Sequence, residues 1–114
     1  MTSNIIKLPD ICNLFDVDYG IEFSIKQNIP SIIKNNNKVI FQFGKNTRSI
    51  SSSYLIGMFE SSYNILPKSI DGFYDNITFR YNYTYQFILG KMLYTGINRI
   101  YNNLEFIGGS SGNK

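Results

Sequence analysis

The chain has 114 residues, of which 43% are hydrophobic and 17% charged, and its formal net charge is +3. This length fits one domain with a modest core, and the composition is that of a globular chain. Cys12 is the only cysteine and histidine is absent, which excludes an internal disulfide and argues against a zinc site or a Ser–His–Asp triad. We therefore expect no metal, no cofactor and no catalytic activity.

The eleven basic residues are scattered from Lys7 to Lys114, with no run of adjacent Lys or Arg. Nucleic-acid-binding proteins usually gather such charges on one face, so this pattern does not favour nucleic acid as a partner. No stretch approaches the roughly 20 apolar residues that span a bilayer, and the N-terminus lacks the pattern of a signal peptide. We expect a soluble, cytoplasmic protein without membrane contact.

The first third of the chain predicts two strands and a helix. Residues 5–8 form an apolar patch that ends at a proline, and residues 13–17 are a possible second strand followed by a turn at 18–20. Apolar residues at helical spacing then predict one helix over residues 20–35, which Pro30 should kink. The predicted buried stripe of this helix consists of Ile21, Ile25, Ile29, Ile32 and Ile33.

The middle of the chain contains the clearest strand, residues 38–43, whose β-branched and aromatic density predicts a central strand covered on both faces. A polar loop follows over residues 44–50. Ser51, Ser52 and Ser53 then offer hydroxyls where a helix should begin, and the apolar stripe of this helix continues to Leu66.

The last third alternates apolar and polar residues over 76–81, as a half-buried strand does, after a loop. A long helix is predicted over residues 83–103, with Phe87, Leu93, Tyr94, Ile97, Ile100, Tyr101 and Leu104 as buried candidates. Residues 1–107 form the predicted domain, and residues 108–114 a flexible Gly/Ser tail. Strands that alternate with helices predict an α/β fold, with a small, mostly parallel or mixed sheet flanked by helices.

Three segments resemble the STAS-like family, the relatives of anti-sigma factor antagonists. IKQNIPSIIKN (25–35) resembles the first helix of that family, VIFQF (39–43) its central strand, and ISSSYLIGMF (50–59) its serine-rich turn and following helix. The resemblance implies a STAS-like fold and a regulatory, non-catalytic role. Gln42 stands where the relatives carry an acidic residue, and Ser51 and Tyr54 stand where antagonists carry Asp and Gly.

The candidate site residues are those of the serine turn and its surroundings. The resemblance implies that Ser51, Ser52 or Ser53 is phosphorylated or docks a partner, whereas the plain alternative is helix capping. Lys45 and Arg48 in the preceding loop suit an acidic partner or a phosphate, or are simply solvated charges. The tyrosines are interface residues or amphipathic core, and we select Tyr54, Tyr83 and Tyr85 as interface candidates.

Two functions follow as hypotheses. The first is a STAS-like protein-interaction module that regulates a partner, such as a kinase-like regulator, through the serine turn and following helix, under possible phosphorylation control. The second is a phage or mobile-element inhibitor of a bacterial defence complex, an anti-CRISPR-type protein. Small size and a composition typical of AT-rich bacterial or phage genomes motivate it. The sequence leaves a homodimer open.

Overall fold

The computed structural model describes residues 4–112, and the side chains of residues 4–104. Within that range five strands alternate with five α-helices and one 3₁₀ helix over Glu60–Ile65. The strands are β1 (Asn4–Lys7), β2 (Asn13–Leu14), β3 (Val39–Gln42), β4 (Ser49–Ile50) and β5 (Ile77–Arg80). The α-helices are α1 (Val17–Gln27), α2 (Ile29–Asn35), α3 (Ser52–Phe59), α4 (Ile70–Asn76) and α5 (Phe87–Gly112).

Three strands form a parallel sheet in the order β1-β3-β5, so β3 is central as the sequence predicts. Its register places Ile6, Phe41 and Phe79 side by side. The short strands β2 and β4 form a second parallel pair. The α/β fold class, with small parallel sheets flanked by helices, is confirmed. In the described part of the chain no helix is long and apolar enough to cross a membrane.

The helices cover one face of the three-stranded sheet. Phe41 and Phe79 point into the core and are 0% and 7% exposed. On the opposite face Ile5 is 51% exposed and Ile40 is only half-buried. The prediction that β3 is covered on both faces is therefore wrong. A dense apolar run does not distinguish a strand covered on both faces from a strand covered on one face. A single apolar residue on the open face, here Ile40, gives the same continuous apolar sequence.

The core is built around α3. Phe59 of α3 packs edge-on against Phe41 and Phe73, with ring centroids 5.6 Å and 5.5 Å apart. Leu55 and Met58 of the same helix are 0% exposed. Edge-to-face aromatic pairs of this kind stabilise a core beyond their buried area, so α3 is the central helix of the domain.

Two glycines allow α1 and α3 to cross at very short range. A Cβ atom on Gly20 of α1 would collide with the backbone carbonyl of Tyr54, and one on Gly57 of α3 would collide with the carbonyl of Val17. Each helix thus uses a glycine to accept the backbone of the other. Any side chain at either position would push the helices apart.

The structure corrects the elements predicted for residues 13–35. The helix begins at Val17, so residues 18–20 are its first turn rather than a separate turn, and β2 has only two residues. The predicted single kinked helix is two helices, which break at Asn28 in the left-handed conformation (φ 57°). Pro30 lies in the first turn of α2, where its missing N–H costs no hydrogen bond. Ile25 is 74% exposed, and Phe23 takes its place in the core.

The second half holds further corrections. Strand β4 lies in the predicted loop 44–50, and α3 passes into the 3₁₀ helix after Phe59. Helix α4, capped by the Ser69 hydroxyl, occupies the predicted loop before β5. Helix α5 begins at Phe87, and Phe87 and Tyr94 are 69% and 64% exposed rather than buried.

Helix α5 extends through residue 112, past the predicted start of the tail at residue 108. The flexibility of that tail stays a prediction, and Asn113 and Lys114 lie outside the described residues.

Gly57→Ala tests the helix crossing. We expect it to lower the free energy of unfolding by about 3 kcal/mol, because the added methyl overpacks a backbone contact that has no flexible side chain to yield. Chemical denaturation measures this loss. Ser53→Ala, at an exposed position of the same helix, is the matched control and should change stability by less than about 0.5 kcal/mol. Equal stability of the two variants would show that the crossing is not tight.

Candidate functional site

The candidate site lies at the carboxyl edge of the three-stranded sheet. Because the strands are parallel, their last residues, Lys7, Gln42 and Arg80, lie side by side. The loop over residues 44–48 follows β3, and the loop over residues 81–86 follows β5. The carboxyl edge of a parallel α/β sheet is the usual place for a binding site.

Four residues selected from the sequence come together on these two loops. They form what we call the edge surface: Lys45, Arg48, Tyr83 and Tyr85. All four side chains are exposed, and Tyr83 and Tyr85 are 71% and 48% exposed. The Arg48 guanidinium carbon lies 5.5 Å from the centre of the Tyr85 ring, within the range of a cation–π interaction.

Gln86 joins the two loops. Its side chain is 2% exposed, and its Nε2 donates to the carbonyl oxygens of Gly44 (2.9 Å) and Thr47 (2.8 Å). Its Oε1 accepts from the backbone N–H of Asn82 at 2.8 Å. The side-chain amide thus bonds three backbone groups on two loops. The Thr47 carbonyl and the Asn82 N–H have no other partner in the described part of the chain, whereas the Gly44 carbonyl also accepts from the backbone N–H of Thr47 at 3.2 Å. Sequence analysis missed Gln86, because it took this residue as part of the final helix.

An Asx turn fixes the tyrosines of the second loop. The Asn82 side-chain oxygen accepts from the backbone N–H of Thr84 at 2.8 Å and of Tyr85 at 3.3 Å. Tyr83 in turn packs edge-on against Tyr81, with ring centroids 4.8 Å apart. Burial raises the pKa of Tyr81, and the neighbouring Tyr83 phenol adds a smaller increase. The turn therefore presents its aromatic rings outward on a defined backbone.

The first loop is tied to the segment that follows β1. Thr47 is 0% exposed and its hydroxyl donates to the carbonyl oxygen of Ile11 at 2.7 Å. The Asp10 carboxylate accepts from the backbone N–H of Asn46 at 2.9 Å and from its side-chain amide at 3.0 Å. Three segments of the chain therefore hold the edge surface in place.

The serine turn caps α3, as the plain alternative predicts. The Ser51 hydroxyl accepts from the backbone N–H of Tyr54 at 3.0 Å and donates to the carbonyl oxygen of Phe15 at 2.6 Å. Ser52 is half-buried, and Ser53 is exposed. Of the three hydroxyls, that of Ser53 is therefore the most accessible to a partner or a kinase.

Tyr54, which the sequence suggested as an interface residue, is buried. Its side chain is 1% exposed, because α3 is packed against α1 and α5. In α3 only Ser53 is exposed, so the burial of Tyr54 does not favour docking through this helix, which stays a prediction. The Tyr54 hydroxyl has no hydrogen-bond partner among the described residues, and burial raises its pKa to about 12.

The described residues contain no group of three or more His, Cys, Asp or Glu side chains arranged to hold a metal ion. Cys12 is exposed rather than part of the core. The edge surface presents an ammonium group, a guanidinium group and two phenols, which suit non-covalent binding.

No family model, curated protein or solved structure matches this chain. The STAS-like assignment therefore stays a prediction, and the site is interpreted from its own geometry.

Gln86→Leu tests the link between the loops. We expect a loss of about 2–4 kcal/mol in the free energy of unfolding, because the Thr47 carbonyl and the Asn82 N–H lose their partner and the Gly44 carbonyl loses one of two. Amide hydrogen exchange over residues 44–48 and 82–86 should accelerate. Asn98→Leu, which removes a bond within helix α5 only, is the control and should leave both loops unchanged. Unaltered amide exchange in Gln86→Leu would contradict the proposed link between the two loops.

Tyr54→Phe tests the buried phenol. The folded state raises the pKa of Tyr54 from 10.0 to about 12, so its contribution to stability is complete below pH 10 and disappears as the pH rises to 12. A shift of this size corresponds to a few kcal/mol. We expect Tyr54→Phe to lose correspondingly less stability than the parent between pH 10 and 12, measured by urea unfolding. Tyr101→Phe should remove a second contribution in the same range, because burial also raises its pKa to about 12. Parallel curves for parent and Tyr54→Phe would place Tyr54 in water.

Proposed function

We propose that this chain is a non-catalytic protein-interaction module that docks on an acidic surface of a partner protein through the edge surface. The observation that carries the proposal is the Arg48 guanidinium stacked over the exposed Tyr85 ring, on two loops that the buried Gln86 side chain holds together.

The residue types of the edge surface support docking. Arg and Tyr dominate the binding energy of protein interfaces, because they combine large contact area with hydrogen-bonding groups. An interface that is ordered before binding loses less conformational entropy when the partner arrives. The hydrogen bonds of Asn82, Thr47 and Gln86 provide this order.

The charge of the carboxyl edge supports an acidic partner. Lys45 and Arg48 lie on the edge surface, and Lys7 and Arg80 are the last residues of β1 and β5. Residues 8–12, 44–48 and 81–86 contain one acidic residue, Asp10, whose carboxylate is already hydrogen-bonded to Asn46. Complementary charge steers association and selects against wrong partners.

Ser53 supports a version of this function under phosphorylation control. It is exposed in the first turn of α3, where the helix dipole favours a negative charge. A phosphate on Ser51 would instead destroy the cap and the bond to Phe15. If the chain is a regulatory module, we expect its partner to be a kinase-like regulator. If it is a phage inhibitor, we expect a host defence complex. Identifying the partner distinguishes these two hypotheses.

Affinity capture from a lysate of the native host tests the proposal. We expect one acidic protein to be recovered with the parent chain, and its recovery to fall at least about tenfold with Lys45→Glu/Arg48→Glu and with Tyr83→Ser/Tyr85→Ser, since each pair removes more than the 1.4 kcal/mol of a tenfold change. Binding should also weaken with salt. Lys34→Glu and Ile25→Ser, exposed on α2 and α1, are matched controls.

Two outcomes would overturn the docking proposal. One is equal recovery of the same protein with both edge-surface variants. The other is recovery that nuclease treatment abolishes, because nucleic acid would then be the ligand of these cations.

A further inference from the structure

A second feature lies between α1 and the segment that runs from the end of β1 to the start of α1. It is an open cavity of about 780 Å³. Pockets that bind small molecules fall in this size range. The lining residues used here are Lys7, Leu14, Phe15, Phe23, Lys26 and Tyr54, and none of them belongs to the edge surface.

The cavity wall is mostly apolar, and part of it is unusually exposed. Leu14 and Phe23 are buried, at 1% and 7% exposure. Phe15 and Tyr19, which also line the cavity, are 51% and 59% exposed. Large side chains half-exposed around one concavity leave apolar area that an apolar ligand would remove from water.

Tyr54 belongs to the same wall. It is 1% exposed, and its hydroxyl has no hydrogen-bond partner among the described residues. Because this oxygen is closed to solvent, we expect no hydrogen bond between it and a ligand in the open cavity, and Tyr54 contributes to the wall as a packed side chain.

The charges of the lining select the sign of the ligand. Lys7 ends β1 and Lys26 lies in the last turn of α1, so the two ammonium groups come from the two elements that bound the cavity. Glu22 is the only acidic residue in the lining, which leaves a net charge of +1 from two lysines and one glutamate. This balance favours an anion over a cation.

We propose that this cavity binds an amphipathic monocarboxylate of the fatty-acid class. Its apolar chain packs on Leu14, Phe15 and Phe23, and its carboxylate lies between Lys7 and Lys26. A small molecule here leaves the four residues of the edge surface free, although the site shares Lys7 with the basic carboxyl edge.

Calorimetric titration of the full chain with decanoate, below its micelle concentration, tests the proposal. We expect one decanoate per chain, with binding about tenfold weaker for Lys7→Gln/Lys26→Gln, since a charge-assisted hydrogen bond contributes roughly this factor. Lys34→Gln/Lys68→Gln removes two exposed charges outside the cavity and should bind as the parent does. Decanol should bind the parent and the Lys7→Gln/Lys26→Gln variant equally.

Three results would overturn the assignment. They are no heat with decanoate up to about 1 mM, equal binding of decyltrimethylammonium, and unchanged affinity in the Lys7→Gln/Lys26→Gln variant with circular dichroism showing it folded. The edge-surface variant Lys45→Glu/Arg48→Glu should bind decanoate like the parent. Normal decanoate binding by this variant would show that the cavity proposal and the docking proposal succeed or fail independently.

Discussion

The side-chain amide of Gln86 joins the parts of the molecule on which its surface depends. It lies one residue before α5, between the loop after β3 and the loop after β5, and it bonds backbone groups of both. An amide with two donors and one acceptor suits this place, because it pairs with two carbonyls and one N–H at once. A hydrophobic side chain of similar size would fill the space and leave the Thr47 carbonyl and the Asn82 N–H without partners. The relative position of the two loops that carry the edge surface therefore depends on one buried polar residue.

The close crossing of α1 and α3 explains which surfaces remain for binding. Gly20 and Gly57 let the two helices approach until each accepts the backbone of the other. Helix α3 thereby enters the core beneath the sheet, with Phe59 against Phe41 and Phe73. A central helix in this place leaves only Ser53 of its residues exposed. What remains outside is the carboxyl edge, the open sheet face and the cavity beside α1, and the first and last of these carry the two proposals.

The fold class could be predicted because the spacing of apolar residues and the density of β-branched residues correspond to the helices and strands of the structure. VIFQ (39–42) forms the central strand, and Ser51 caps α3. The failures have physical causes. Asp18, Tyr19 and Gly20 look like a turn, but Gly20 is required by a helix contact formed by residues more than thirty positions away. Tyr54 looked like an interface residue, since tyrosine suits both interfaces and cores, and only the position of α3 decides between them.

The candidate site was half visible in the sequence. Lys45, Arg48, Tyr83 and Tyr85 were selected from residue type alone, and the parallel sheet brings their two loops to one edge. Gln86 and Thr47 gave no signal, because a lone polar residue among aromatic or charged neighbours looks solvated until the carbonyls it bonds are known. The local sequence pattern predicts the helices and strands, whereas the site depends on hydrogen bonds between residues that are distant in the sequence.

Amide hydrogen exchange of the purified chain, alone and bound to its captured partner, measures the docking surface most directly. The account predicts that the partner protects residues 44–48 and 81–86, while exchange in α2 and α4 stays as in the free chain. Protection confined to α2 or α4, with the two carboxyl-edge loops exchanging as before, would contradict it.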